Sequence, residues 1–252
     1  MLLNWMTELE ITEDRWLGER LFLRQPARSY RVGVDAALLA ASIPKKKGIS
    51  ALELGTGVGA VALAVAAGVE NSKITAVEIQ TELADLARTN VTINEMADRV
   101  IIIEANILKI PPPLRAYEEV FFNPPYLKPE ANDASPDKVR RIATVEGEAR
   151  LDDWLSVASQ QVVVGGGVTV IHRADRLADL LAAAKRAGIG GMVILPIWPR
   201  VGSPARRIIV RGIKGGGGPL RILAGLTLHA DGQSYTDVGA AVLRGDAPID
   251  MN

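Results

Sequence analysis

The segment Glu53-Leu54-Gly55-Thr56-Gly57-Val58-Gly59 limits the folds open to this chain more than any other stretch. It lies between a short apolar run, Ala51 to Leu54, and the alanine- and valine-rich run Ala60 to Ala67, which Gly68 closes. Glycine enters left-handed backbone conformations without steric cost, so three glycines at alternate positions specify a sharp strand-to-helix turn. The helix start beyond the turn carries unpaired backbone N–H groups, and the missing side chains let a ligand approach them. Such a turn belongs in a parallel sheet with helices on its faces.

The rest of the chain repeats the same alternation. Lys73 to Val77 reads as a strand ending at Glu78, and Thr81 to Glu95 as an amphipathic helix. Val100 to Glu104 and Val120 to Phe122 are short and apolar, as strands buried on both faces are. A helix over Leu151 to Val164, the run Gly165-Gly166-Gly167, a strand over Val168 to Ile171 and a helix over Ala178 to Ala187 follow. Met192 to Leu195, Arg207 to Val210 and Leu226 to His229 supply late strands. The pattern predicts a doubly wound α/β fold. Ahead of it, a hairpin around Gly18 leads into Leu21 to Leu23, with Trp5 and Trp16 as anchors. A short helix over Ala36 to Ala41 then has Asp35 at or near its N-cap and stops at Pro44. These residues make an N-terminal extension, 1–47, before a single domain, 48–252. With 252 residues, 48% of them apolar, the chain can bury one large core.

The second constraining motif is Asn123-Pro124-Pro125-Tyr126, directly after Val120-Phe121-Phe122. Two successive prolines fix φ twice, remove two donors and hold the preceding Asn extended. The Asn123 side chain and the carbonyls around Pro124 can then converge as acceptors on a small flat –NH₂ group, with Tyr126 stacking on it. That is a site for an exocyclic amine or a primary amide. The polar, aperiodic stretch Leu127 to Val145 beside it reads as a substrate-gripping lid.

Two cofactors suit the glycine turn. Read as Gly55-x-Gly57-x-x-Ala60, it matches a dinucleotide fingerprint, with Glu78 about 20 residues on to hold a ribose hydroxyl. Read as acid-x-Gly-x-Gly-x-Gly, it suits S-adenosylmethionine, with Glu53 facing the cationic methionine end and Glu78 the ribose diol. The glycines alone do not decide. Glu53 favours the second reading, because a carboxylate there repels a pyrophosphate and attracts an ammonium or sulfonium. The amine clamp favours it again, since hydride transfer has no use for one.

Composition removes other classes. There is no cysteine, so disulfides, zinc-thiolate sites, iron–sulfur clusters and Cys nucleophiles are excluded, and two histidines do not build a His-rich metal site. No metal is expected. No uncharged apolar run reaches the ~18 residues of a membrane span, and Met1 to Glu10 lacks the form of a signal peptide, so a cytoplasmic location is expected. Net charge is zero, yet no Asp or Glu occurs from Leu180 to Ala230, where Lys185, Arg186, Arg200, Arg206, Arg207, Arg211, Lys214 and Arg221 fall. Of these, Arg200, Arg206, Arg207 and Lys214 are candidates for RNA phosphates, with Trp198 nearby for stacking.

The chain resembles the Rossmann-like class I methyltransferases, and among them the bacterial tRNA adenine-N6 methyltransferases that modify adenine 37 of valine tRNA. Besides the two motifs above, the resemblance rests on Arg24-Gln25-Pro26, Tyr30-Arg31-Val32-Gly33-Val34-Asp35, Val77-Glu78-Ile79-Gln80, Val145-Glu146-Gly147-Glu148 and Ile171-His172-Arg173-Ala174-Asp175-Arg176. It implies a mostly parallel seven-stranded sheet with a reversed final strand, and S-adenosylmethionine over the ends of the first strands. The cofactor residues it implies are Asp35, Glu53, Gly55, Thr56, Gly57, Gly59, Glu78, Ile79, Asn106 and Asn123, with Asn123, Pro124 and Tyr126 catalytic and tRNA the partner. Asp35 then lies near the methionine end, or else serves only as a helix cap. Asn106 stands where the family often has an Asp accepting from the cofactor adenine, and its side-chain oxygen can still accept. His172, Arg173 and Arg176 either face the substrate or serve the surface and a helix start.

The expected activity is transfer of a methyl group to the N6 amine of an adenine in tRNA. Rival readings keep the fold: a glutamine-amide methyltransferase acting on protein, another nucleic-acid amine methyltransferase, or a non-catalytic RNA-binding module. Release-factor methyltransferases carry a longer helical segment ahead of the glycine turn than the extension here.

Overall fold

The computed structural model describes residues 10–28, 31–111, 117–126, 147–230, 232 and 234–251. The expected lid, Trp5 and Tyr30 lie outside these residues, as do Val145 and Glu146. A hairpin of β1 (Ile11–Trp16) and β2 (Leu21–Pro26) forms a small antiparallel sheet of its own. After it come α1 (Val34–Ser42), β3 (Ser50–Leu54), α2 (Ala60–Gly68), β4 (Lys73–Glu78), α3 (Thr81–Ile93), β5 (Val100–Glu104) and β6 (Tyr117–Phe122). The remainder is α4 (Leu151–Gln161), β7 (Val162–Arg173), α5 (Leu177–Arg186), β8 (Ile189–Arg200), β9 (Arg207–Lys214), β10 (Arg221–Ile222), β11 (Leu226–His229) and α6 (Asp237–Leu243).

The large sheet runs β10-β8-β9-β7-β6-β3-β4-β5, with β11 also on β8. Seven of these strands make the expected layout, with β9 antiparallel to both β7 and β8 and the inner pairs parallel. Outside these seven, β11, at the expected Leu226 to His229, and β10, which was not expected, lie end to end along the outer edge of β8, which brings the sheet to nine strands. Pro196 explains why this edge is two strands rather than one. Leu223 N donates to Ile194 O on that side, but two residues further Pro196 has no N–H to give.

Strand order reverses between β3 and β6. The chain winds outward from β3 through β4 and β5, then returns to lay β6 on the other side of β3. Such a switch point opens a crevice at the carboxyl ends of the strands. The glycine turn leaves β3 there, and Asn123 leaves β6 beside it. Alternation along β6 sends Phe121 into the core shared with α1 and α2, and Phe122 into the core shared with α4 and α5.

The expected helix over Leu151 to Val164 ends instead at Gln161, and the glycines that follow belong to β7. Between the β6–β7 pairs Tyr117↔Val162 and Glu119↔Gly167 the register slips, and Gly165 takes φ +81° in the bulge. A Cβ on Gly167 would strike Glu119 and the Arg211 guanidinium within 2.4 Å. Those two form a buried ion pair at 2.8 Å, with Thr169 Oγ1 donating to Glu119. Gly167 is therefore required for space within the sheet, and Gly165 for the backbone conformation of the bulge.

Asn90, fully buried on α3, ties the N-terminal extension to the main fold. Its Oδ1 accepts from Arg24 N at 2.7 Å, and its Nδ2 donates to Arg24 O and to Val58 O. One turn later Asn94 makes the same pair of bonds to Phe22. A helix face thus acts as the next strand for β2, while also holding the end of the glycine turn at Val58. Asn90→Ala leaves Arg24 N–H and two carbonyls without their partner, each worth ~1–3 kcal/mol if left buried and unpaired. We expect a loss of about 2–4 kcal/mol by denaturant unfolding, larger than that of Asn94→Ala.

Candidate active site

The glycine turn is held by two carboxylates. Gly55, Gly57 and Gly59 take φ of +68°, +58° and +85°, the left-handed region that the sequence reading required. Glu78, at the end of β4, reaches across to accept from Gly57 N at 2.8 Å and turns its other oxygen to Ile79 N and Gln80 N. Glu53 accepts from the Thr56 hydroxyl at 2.6 Å and from Ala62 N at 3.0 Å, inside the first turn of α2. Thr56 N closes the turn onto Val77 O. Thr56 therefore braces the loop, with its side chain committed to Glu53.

Both acids are buried, Glu53 at 3% and Glu78 at 5% exposure, and neither makes an ion pair among the described residues. Desolvation pushes the Glu53 carboxyl up to about 8, against hydrogen bonds that lower it, and the neighbouring Glu78 raises it further. Glu78 is itself raised by burial. Two carboxylates kept from water without a cation form a donor set that fits a positively charged ligand, such as a sulfonium with an ammonium, and opposes a pyrophosphate. Ile79, 53% exposed directly after Glu78, offers an apolar surface beside this set.

Asn106 begins a single 3₁₀ turn after β5. Its Oδ1 already accepts from Leu108 N at 2.9 Å, and its Nδ2 donates to Glu148 at 3.2 Å. The oxygen expected to accept from an adenine amine is thus engaged as a cap, and an acceptor, Glu148, stands beside it.

Trp154 on α4 was not singled out by sequence reasoning. Its ring lies against Gly55, where a Cβ would come within 2.7 Å, and stacks on Phe122 at 5.5 Å. It therefore packs against both the glycine turn and the β6 residue that precedes Asn123. The spacing of Leu151, Trp154, Leu155 and Ala158 marks a buried helix face, so the sequence signal for Trp154 is one of core packing.

At the clamp, Pro124 is buried, and Asn123, Pro125 and Tyr126 are half-buried. The Asn123 amide has no hydrogen-bond partner among the described residues. Arg176 donates from Nη1 to Tyr126 O at 3.3 Å and from Nε to Asp179. Arg207 lies 5.6 Å from the Tyr126 ring centroid and donates from Nε to Asp35 at 2.8 Å. Asp35 is in the first turn of α1, whose N-cap is Gly33, so it pairs with Arg207 and does not cap the helix. One face of Tyr126 is thereby backed by a cation that is itself anchored. His172 is 2% exposed, so it is not a surface residue, and its Nδ1 accepts from Arg173 N. Burial, then the charges of Arg176 and its neighbours, hold it down to about 4, so it is neutral near pH 7. Arg173 pairs with Asp175.

Of the basic candidates, Arg200 and Arg206 flank the turn between β8 and β9, at the clamp's end of the sheet. Lys214 is at the far end, with its Nζ on Val162 O. Since β9 runs antiparallel, its eight residues carry the chain roughly 24 Å from Arg207 to Lys214. Reading charge along a sequence groups residues that the strand then separates.

Residues 29–144 match the family model for the methyltransferase small domain. A tRNA1(Val) (adenine(37)-N6)-methyltransferase from Porphyromonas gingivalis is 29% identical over 179 residues, 66% of this chain and 68% of that protein. A release factor glutamine methyltransferase from Rhodopirellula baltica is 32% identical, over 36% of this chain and 31% of its own. Among solved structures, a predicted O-methyltransferase from Agrobacterium tumefaciens shares the fold with a TM-score of 0.71 at 28% identity, covering 85% of this chain and 98% of that one.

The burial of Glu53 has a pH signature. Unfolded, the carboxyl ionises near 4.5, whereas folded it keeps its proton to about 8. Stability of the ligand-free protein therefore falls as pH rises between those values, and Glu78 adds to the same trend. A cationic ligand favours the ionised acid, so S-adenosylmethionine should release up to about one proton on binding at pH 7. Calorimetric titration in buffers of different ionisation enthalpy measures this. Glu53→Gln should abolish the proton release and weaken binding most at high pH; release that persists in that variant would assign the proton elsewhere.

Proposed function

We propose that this chain, a class I, Rossmann-like S-adenosylmethionine-dependent methyltransferase, transfers the methyl group to the exocyclic N6 amine of an adenine in tRNA. The observation that carries this reading is the juxtaposition at the topological switch. An Asn-Pro-Pro-Tyr clamp leaves β6 beside the glycine turn that leaves β3, with strands β3 and β6 paired from Ala51↔Glu119 to Leu54↔Phe122.

When bound, S-adenosylmethionine supplies an electrophilic methyl on a cationic sulfur with a neutral thioether as leaving group. Glu53, with Asp35 near it in the family pattern, answers the positive methionine end. Gly55, Thr56, Gly57 and Gly59 offer close backbone, Glu78 the ribose diol, and Ile79 with Asn106 the adenine side. Asn123 and the Pro124 carbonyl accept from the two N6–H bonds of the acceptor. This holds the amine with its lone pair toward the methyl and strengthens as nitrogen becomes positive. The base stacks on the Tyr126 face opposite Arg207, extruded from its neighbours as base-modifying enzymes require. Arg200 and Arg206 take RNA phosphates, a role that Lys214, at the far end of the sheet, does not share. The compartment implied is the cytoplasm; among the described residues no helix is long and apolar enough to cross a membrane.

The glutamine-amide reading shares the clamp. Against it stands the breadth of the likeness: the tRNA-modifying relative matches two thirds of each chain, and the release-factor relative about a third. Incubation with labelled S-adenosylmethionine and a panel of unmodified tRNA, rRNA, DNA and release factor separates them. Labelled N6-methyladenosine in tRNA is expected, and label in protein alone would overturn the proposal. In the same assay Asn123→Ala should retain cofactor binding and lose at least about a hundredfold in methyl transfer. Full activity of that variant would remove the clamp from the chemistry.

A further inference from the structure

The outer edge of the sheet carries a feature that cofactor binding does not need. β8 and β11 run parallel to β6 and β7, so their carboxyl ends lie at the clamp's end of the molecule. In register, Thr227 lies beside Trp198 and His229 beside Arg200. Their neighbours Ile197 and Leu226 are buried on the opposite face, in the core shared with α1 and α2. Alternation therefore brings Trp198, Arg200, Thr227 and His229 together on one face. The His229 ring stacks on Tyr235 at 4.6 Å and 22°, and Tyr235 is 42% exposed. The Trp198 ring rests on the backbone of Gly225, where a Cβ would come within 1.9 Å.

Two clefts open on this surface and share Val201 and Thr227. One, of ≈ 650 Å³, is bounded by Arg200, His229 and Thr236; the other, of ≈ 490 Å³, by Trp198 and Pro204. Val201, at the turn between β8 and β9, is 87% exposed between them. The whole surface except Gly232, Tyr235 and Thr236 derives from the acid-free stretch Leu180 to Ala230. Flat rings at two points, an arginine in register with His229 and two residues from Trp198, and no carboxylate in that stretch match single-stranded nucleic acid, whose bases stack while its phosphates need cations.

We propose that Trp198 and the His229–Tyr235 pair form a second RNA site, where unpaired nucleotides flanking the methylated adenine stack while Arg200 takes the intervening phosphate. It rests on the tRNA reading above. From β6 to β11 is four strand spacings, about 19 Å, a span of a few nucleotides. β10 and β11, additions to the seven-stranded plan, then serve to widen the sheet toward the substrate.

The test is binding of a fluorescent, unmodified valine tRNA transcript to the full chain, followed by anisotropy across a salt series. Tyr235→Ala and Trp198→Ala should each weaken binding about tenfold, within the range for losing one stacked base. Their affinity for S-adenosylhomocysteine should be unchanged. Tyr235→Phe, which keeps the ring, should bind as the wild type does. Arg200→Gln should lower the salt slope by about one, and Tyr235→Ala should leave it unaltered. If Trp198→Ala fails to fold, Tyr235→Ala, on the surface, decides. Wild-type affinity in Tyr235→Ala overturns the site while leaving tRNA methylation intact. A wild-type protein that neither binds nor methylates tRNA overturns the function as well.

Discussion

Two buried carboxylates hold this molecule's working end in shape. A turn with three left-handed glycines has little intrinsic order, since glycine loses the most conformational freedom on folding. Glu78 offsets that cost by accepting from Gly57 across the sheet and from two N–H groups of its own strand end. Glu53 does the same from below, through Thr56 and Ala62. The arrangement makes both acids costly, because burial opposes their ionisation and they repel each other. A cation entering the crevice relieves that cost, so the elements that shape the empty turn also select what fills it.

A second link runs from the N-terminal extension to the clamp. Asp35 on α1 pairs with Arg207 on β9, and Arg207 backs the ring of Tyr126. The pair is about one-quarter to one-third exposed, so its Coulomb energy is screened and its worth to stability is modest. Its consequence is geometric: a ring with one face occupied presents the other. Asn90, which binds β2 and the carbonyl after Gly57 at once, places the same extension on the far side of the glycine turn. The short leading segment is thus integral to the site at two points.

The doubly wound sheet and both motifs were legible because each writes a period or a steric demand into consecutive residues. Alternating glycines specify a turn, and an apolar run before Pro-Pro specifies a strand that ends. What stayed hidden depends on contacts between distant residues. Gly165 to Gly167 read only as a run between a helix and a strand, because nothing local reveals the bulge or the Glu119–Arg211 pair that needs the space at Gly167. Asp35 read equally well as a cap, because its partner lies on β9, far along the chain. Trp154 carries only the signature of a core residue, although its ring packs on both Gly55 and Phe122. Lys214 read as a companion of Arg207 because proximity in sequence is not proximity along a strand. In the same way the aromatic pair His229 and Tyr235 gains meaning only when β11 sets it beside Arg200.

The electrostatic division of the crevice follows from these placements. The β3–β4 side holds Glu53 and Glu78, while Arg176 and Arg207 contact Tyr126 on the other side. A cationic cofactor and a polyanionic substrate are thereby drawn to opposite halves of one cleft, with the clamp between them. The one imidazole close by, His172, is buried and held neutral by the arginines around it. A group that ionises only near pH 4 is a weak base, so it adds little proton abstraction at neutral pH. Methyl transfer from a sulfonium needs none, because the leaving thioether is neutral and the nitrogen sheds its proton after the bond has formed. The burden falls on holding a poor nucleophile in line, and a rigid dipeptide of prolines, a backed ring and a braced turn are parts for holding.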